Sequence, residues 1–401
     1  MVIRKPIVVN GLLVLISIIC GFTIMEVYLR IDNSRPPTKW ASVELNGRTY
    51  KFHEVPEKFN DIKGSVVFLG DSMTVGGACG LERNYPAVFG RLARDRYGYQ
   101  QSLNVAVSGT NSFHYVTVAK DLLALNNKPA GGIVTLFNND IEYDCSLCKY
   151  MMDINNSGEF SEDEFRTLNK LCEVCRLNNY DPTQHYGQVA HYSFVRKAHR
   201  FMYRVSYVYK VARNAIVSAF QMIGKPVGWG SNYKEQWRNH VSLQFRLVKL
   251  SMKLLQSEFE KANVPLLVVM YPPASRINEQ NDYVRLYSDA AKFLSESTGV
   301  TVLSGYPAFF RNEQAKEDMS FSLTDGHPNC QAHEIFATWV LDKMQSRHPH
   351  AVSAFMHCCG RHCEARCEKA HGHTKYSDYL GNAGLVNGLR VELTLWARQL
   401  A

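Results

Sequence analysis

No run of five or more basic residues occurs in this sequence, although its formal net charge is +8. A charge excess scattered over many segments is a poor nucleic-acid footprint, which excludes that partner and leaves an anionic membrane surface or an acidic glycan as weaker alternatives. No internal repeat and no low-complexity tract is present, so repeat architectures are excluded as well. Residues 7–25 lack charge altogether, a stretch of nineteen residues preceded by Arg4 and Lys5. Such a stretch is long enough to span a bilayer, with the positive flank on the cytoplasmic side and everything after Glu26 outside it. No small-x-small cleavage pattern follows it before Glu26 and Arg30, which disfavours the rival reading of a cleaved signal peptide.

What is present suffices for a large folded domain: 401 residues, of which 46% are hydrophobic. Residues 31–60 are polar and contain Pro36, Pro37 and Pro56, which reads as a spacer. From residue 65 onward strands alternate with helices. Strand patterns fall at 66–69, 103–107, 133–137, 265–270 and 300–303; helical spacing falls at 85–97, 116–125, 239–262, 287–298 and 332–344. This alternation predicts a flavodoxin-like α/β/α fold with a parallel sheet covered on both faces and ligands bound at the carboxyl ends of the strands. Those ends carry Ser72, Gly109 and Asn139. The expected organisation is an anchor at 1–30, a spacer at 31–64, one domain in two parts at 65–140 and 239–345, a mostly helical insertion at 141–238, and a tail at 346–401.

Four short blocks carry the chemistry: Phe68-Leu-Gly-Asp-Ser72, Asn104-Val-Ala-Val-Ser-Gly109, Asn138-Asn-Asp140 and Asp325-Gly-His-Pro-Asn329. A serine hydroxyl is a poor nucleophile until an imidazole takes its proton, and His327 is the candidate base for Ser72. Asp325 would orient that ring. The N–H groups of Ser72 and Gly109 and the Asn139 side chain would hold the oxyanion. A side chain at position 109 would block the approach of a carbonyl to the backbone donor, a physical reason for glycine there. Each block alone is an ordinary turn; their joint occurrence at strand ends points to a site. Asp71 is expected to fix the nucleophile turn by accepting backbone N–H bonds, and His333 to be a packed helix residue.

In order and content the blocks resemble those of the SGNH (GDSL-like) serine hydrolases over residues 65–345, and most resemble single-span bacterial members associated with cell-surface polysaccharides. The resemblance implies catalysis without a cofactor on an ester, an O-acetyl or other short acyl group of a surface glycan. Acyl transfer to a sugar hydroxyl by the same residues, or a non-catalytic glycan-binding protein organised by calcium, are the alternatives. Three positions depart from the family pattern: Phe137 stands where glycine is usual, Asp325 and His327 are separated by one residue rather than two, and Met73 replaces leucine.

Within the insertion, residues 153–164 fit the twelve-residue EF-hand loop, with oxygen ligands at Asp153, Asn155, Ser157, Ser161 and Glu164, the Glu159 carbonyl at the seventh place and Gly158 at the sixth. The expected ion is structural Ca2+. Flanking the loop, Cys145 and Cys148 pair in spacing with Cys172 and Cys175. On antiparallel helices Cys145 would meet Cys175 and Cys148 would meet Cys172 as disulfides, the default outside the cytoplasm, with a four-cysteine Zn2+ site as the alternative. Between residues 192 and 220 basic and aromatic residues interleave, as on a helix against lipid headgroups or, more plainly, on a solvated helix. The tail crowds four histidines and four cysteines into 357–373 without repeated ligand spacing, and no role is assigned to it.

Overall fold

The computed structural model describes residues 5–32, 41–54, 56–59, 62–97, 101–141, 145–177, 202, 206–222, 233–273, 282–310, 319–322 and 325–347. The tail beyond residue 347 and most of 178–205 lie outside them. The strands are β1 (Ala41–Leu45), β2 (Arg48–Phe52), β3 (Ser65–Leu69), β4 (Gln101–Asn104), β5 (Gly131–Leu136), β6 (Leu266–Met270), β7 (Thr301–Ser304), β8 (Ser320–Ser322) and β9 (Asp325–Pro328). The helices are α1 (Lys5–Asp32), α2 (Ser72–Val75), α3 (Tyr85–Tyr97), α4 (Ser112–Leu123), α5 (Met151–Asn156), α6 (Glu162–Leu177), α7 (Tyr207–Met222), α8 (Tyr233–Arg238), α9 (Leu243–Lys261), α10 (Asp282–Thr298), α11 (Tyr306–Phe310) and α12 (Cys330–Arg347).

Strands β3 and β5 are runs of buried residues, as a strand covered on both faces must be. Five strands form one parallel sheet in the order β4-β3-β5-β6-β7. Side chains of successive residues leave a strand on opposite faces. Val67 and Leu69 accordingly point into a core shared with α4, α9 and α10, through Val116, Phe245, Leu255 and Leu294. Val66 and Phe68 point the other way, onto Val88 and Phe89 of α3 and Phe336 and Val340 of α12. The result is the expected α/β/α sandwich around a parallel sheet.

The segment expected to be a spacer is partly structured. Strands β1 and β2 form an antiparallel hairpin whose Asn46-Gly47 turn has φ of 49° and 73°, the paired positive values of a tight hairpin turn. Val43, Leu45, Tyr50 and Phe52 are buried in the main core. Arg48 and Tyr50 reach Asp121 of α4 at 2.7 Å and 2.6 Å, which ties the hairpin down. Burial and the Asp121 carboxylate push the Tyr50 phenol well above its ordinary value, so it stays a donor.

At the N-terminus, α1 runs for 28 residues, covering the expected membrane span. Among the described residues no helix is long and apolar enough to cross a membrane; the side chains of residues 5–13 and 15 lie outside the description. The last turns of α1 pack against α7. Leu29 is buried, and Glu26 accepts hydrogen bonds from the Ser206 hydroxyl and the Val208 N–H, both at 3.1 Å, at the start of α7.

Candidate active site

The Ser72 turn is built at the end of the central strand β3. A Cβ on Gly70 would lie 2.1 Å from Thr74 Oγ1, so the chain can fold back this tightly only over glycine. Asp71 then caps α2, its carboxylate accepting the Met73 N–H at 2.9 Å, which is the role expected of it. Ser72 opens the short helix and presents its Oγ 2.9 Å from His327 Nε2 and 3.5 Å from the Asp71 carboxylate. The two partners are 255 positions apart in the chain. The distance is a hydrogen bond, and it is what proton transfer from hydroxyl to imidazole requires.

Neighbouring strand ends bring in the other groups. Past β4, the Val105 and Val107 N–H groups donate to the carbonyls of Phe68 and Gly70, each at 3.0 Å, laying that loop along the Ser72 turn. Gly109 comes next with φ of 75°. After β5 comes the turn Asn138–Ile141, pinned by Asp140, whose carboxylate accepts the Phe137 N–H and the Tyr115 hydroxyl, both at 2.6 Å. The Asn139 side chain hydrogen-bonds Asp71, the residue next to Ser72. Ser72, Gly109 and Asn139 thus sit on three adjacent strand ends. Asp325 opens β9, the strand carrying His327, but its side chain lies outside the described residues.

Asp71 is fully buried. Burial pushes its carboxyl up from the ordinary value, against the Met73 N–H, the Asn139 side chain and His327, which favour the anion. His333 is also fully buried. Its Nδ1 accepts the Tyr85 N–H at 3.3 Å, and desolvation, aided by His327, pushes its pKa down to about 3. A neutral, packed imidazole is what the sequence implies for it. Phe137 is half-buried against the α3/α12 core.

Two contributors escape the sequence reading. Asn104 donates to the Thr74 carbonyl at 3.1 Å and accepts the Ala106 N–H at 3.2 Å, clipping α2 to the loop that bears Gly109. Its position at the head of the second block is the only signal. Cys79 and Cys330 form a disulfide with Cα atoms 5.3 Å apart, and nothing in their spacing announces it.

The insertion answers the metal questions in its own way. Cys145 pairs with Cys175 and Cys148 with Cys172, with Cα separations of 5.6 Å and 5.4 Å. With all four sulfurs in disulfides no thiolate is left for zinc, so the Zn2+ alternative is set aside. In the EF-hand-like loop, Asp153 and Asn155 fall on α5 and are exposed. Ser157 bonds the Ile154 carbonyl at 2.8 Å, and Ser161 and Glu164 cap one another, the Ser161 N–H donating to the carboxylate at 2.9 Å. The Arg246 guanidinium of α9 donates both to the Glu159 carbonyl and to the Glu164 carboxylate. Those are the seventh- and twelfth-place ligands expected for Ca2+. The Glu159 carboxylate meets Lys249 at 2.5 Å and Lys253 at 2.8 Å. A cation from the protein itself satisfies the oxygens, so the residues as arranged do not fit a calcium ion. Among the described residues no group of three or more His, Cys, Asp or Glu side chains converges as a metal site.

No protein-family model and no curated protein matches the chain. Several solved structures do. TesA is 12% identical, with 70% of this chain and 98% of that one covered and a TM-score of 0.37. The psychrotrophic esterase EstA from Pseudoalteromonas sp. is 11% identical, covering 71% and 98%, with a TM-score of 0.35. An acetyl xylan esterase, AlAXEase, is 14% identical, covering 71% and 99%, with a TM-score of 0.34. Likeness of this degree decides nothing about the reaction of this chain.

Proposed function

We propose that the chain is a serine esterase of the SGNH type, with Ser72 as nucleophile and His327 as general base. The single observation that carries the reading is the 2.9 Å contact between Ser72 Oγ and His327 Nε2. In the reaction His327 takes the Ser72 proton as Oγ adds to the acyl carbon of an ester. The oxyanion develops against the Ser72 and Gly109 N–H groups and the Asn139 amide. Collapse of the tetrahedral adduct breaks the ester C–O bond, the imidazolium returns its proton to the leaving alcohol, and an acyl-Ser72 remains. Water, deprotonated by His327, then adds to the acyl carbon; the acyl–Oγ bond breaks, the imidazolium returns its proton to Ser72 Oγ and the acid leaves. Asp325 is the proposed orienter of the imidazole. No metal takes part in any step.

A short acyl group, above all O-acetyl on a glycan, is the proposed substrate, supported by the family resemblance of the four blocks and by the bulk of Phe137 where glycine is usual. The chain is further proposed to be a single-pass membrane protein anchored by residues 7–25, with its catalytic domain outside the cytoplasm, in the periplasm or at the cell surface. Support comes from the uncharged stretch after Arg4 and Lys5, from exposed apolar side chains on α1 such as Ile18, Ile19, Phe22 and Ile24, and from three disulfides, which belong to oxidising compartments.

The test is turnover of p-nitrophenyl acetate by the full chain in detergent, with and without an acetyl-accepting glycan. Replacement of Ser72 by Ala, or of His327 by Ala, is expected to lower kcat by at least about a thousandfold. Turnover without acceptor identifies an esterase, and turnover only with acceptor identifies a transferase. Equal rates for wild type and Ser72→Ala would overturn both and leave a binding protein.

A further inference from the structure

We infer that the Cys79–Cys330 disulfide, backed by the buried His333, is a strap that holds the nucleophile and the base in register; the inference rests on the esterase reading above. The two catalytic side chains have different supports. Ser72 is mounted on the end of the central strand, whereas His327 rides on β9, which among the described residues pairs only with β8, in a two-stranded sheet separate from the five-stranded one. Main-sheet hydrogen bonds therefore do not fix the histidine. The next element in the chain is α12, opening at Cys330, three residues after His327.

That first turn of α12 is fastened to the segment that leaves the nucleophile helix. Gly76 closes α2, and the Cys79 N–H donates to its carbonyl at 2.9 Å. Cys79, itself buried, is then linked covalently to Cys330. Cys330 and His333 are spaced i, i+3 and so share one helix face. His333 stacks on Tyr85 with ring centres 6.2 Å apart and accepts that residue's N–H. A Cβ on Gly76 would approach His333 Cε1 to 3.2 Å, which shows how closely the imidazole covers the end of α2. The opening of α12 thus grips residues 76–84, the connection between the Ser72 helix and α3, near its start at Gly76 and Cys79 and again at Tyr85, the first residue of α3. Short arms of chain run from this grip to Ser72 on one side and to His327 on the other.

The remaining two disulfides join positions only 30 and 24 apart within the insertion. Cys79–Cys330 spans 251 positions, so it also stabilises the fold by restricting the unfolded chain. A test must therefore separate positioning from stability, and kinetics do so. Displacing a general base by about 1 Å costs on the order of a hundredfold in rate, while substrate binding is left to other groups.

The experiment uses the full chain in detergent and p-nitrophenyl acetate at a temperature well below the unfolding transition of every variant. The Cys79→Ala/Cys330→Ala protein is expected to lose about ten- to a hundredfold in kcat with KM within about twofold. Fluorophosphonate labelling of Ser72 should slow in parallel. The Cys148→Ala/Cys172→Ala protein should show a lower Tm with kcat unchanged. A folded strap-free protein with kcat within about twofold of wild type overturns the inference. If that variant does not fold, the wild type is titrated with tris(2-carboxyethyl)phosphine; portions withdrawn at each point are alkylated so that mass spectrometry follows each disulfide, while the unalkylated remainder is assayed and then reoxidised. Activity that falls with the Cys79–Cys330 bond and returns on reoxidation supports the strap; activity persisting after both thiols are exposed overturns it. A wild type that neither turns over ester nor takes the label would instead overturn the esterase reading.

Discussion

Two histidines six residues apart meet opposite surroundings. His327 is half-buried and faces the Ser72 hydroxyl, while His333 is fully buried beside the end of α2 and kept neutral by desolvation. For His333 the consequence is a pH-dependent stability whose sign is fixed. Its pKa is about 3 in the fold and about 6.5 in an unfolded chain. Between those values the unfolded chain binds a proton that the native state does not, so stability falls as pH falls, by up to about 1.4 kcal/mol per pH unit. His333→Asn keeps an acceptor for the Tyr85 N–H and removes the titration. Urea unfolding at pH 7, 5 and 4 should therefore show a shallower acid loss for the variant than for wild type, and parallel losses would refute the assignment. At this scale the residues that the sequence singled out lie in short local patterns, Ser72, Gly109 and Asn139 after strands of the sheet and His327 within β9. Asn104 and the Cys79–Cys330 pair were not singled out, because what each does depends on a contact far along the chain, which no spacing encodes.

Among the elements, the insertion shows how a local pattern can be satisfied by something remote. The twelve-residue spacing from Asp153 to Glu164 describes a loop that gathers oxygens toward one point, and Gly158 has the positive φ, 66°, that such a loop needs. The group that fills that point is Arg246, 82 positions from Glu164 and on another helix, with its guanidinium also over the Phe160 ring at 5.1 Å. Calcium removal is accordingly expected to do nothing: EDTA should leave Tm and turnover where they were. Arg246→Ala should cost about 1 to 3 kcal/mol, the scale of leaving the Glu159 carbonyl and one oxygen of the Glu164 carboxylate without their donor, read as a lower urea midpoint. A Tm that drops on adding EDTA to the wild type would restore calcium to the loop. The hairpin of β1 and β2 teaches a related lesson. Its Asn46-Gly47 signal was present, but the prolines on either side suggested a spacer, and only the long-range contacts of Arg48 and Tyr50 with Asp121 make it part of the core.

For the molecule as a whole, the parallel sheet was legible because alternating strands and helices leave few ways to cover both faces, whereas strand order is a matter of crossovers. The order β4-β3-β5-β6-β7 places β3 between the next two strands in the chain, so the connections after it leave toward opposite faces and open a crevice at its carboxyl end. Ser72 occupies that end, and the neighbouring strands deliver Gly109 and Asn139 to either side. The anchor proposed for residues 7–25 adds nothing to this crevice. Among the described residues α1 meets the rest of the chain in its last turns, where Leu29 is buried and Glu26 bonds the start of α7. Anchor and catalyst should therefore be separable. Deleting residues 2–24 while keeping Glu26 and Leu29 is expected to move the protein from the carbonate-resistant membrane fraction to the soluble fraction, with kcat/KM for p-nitrophenyl acetate within about twofold of the full chain. A full chain already soluble without detergent would remove the anchor. A truncated chain that is soluble, folded and inactive would instead show that the anchoring helix reaches the site through α7.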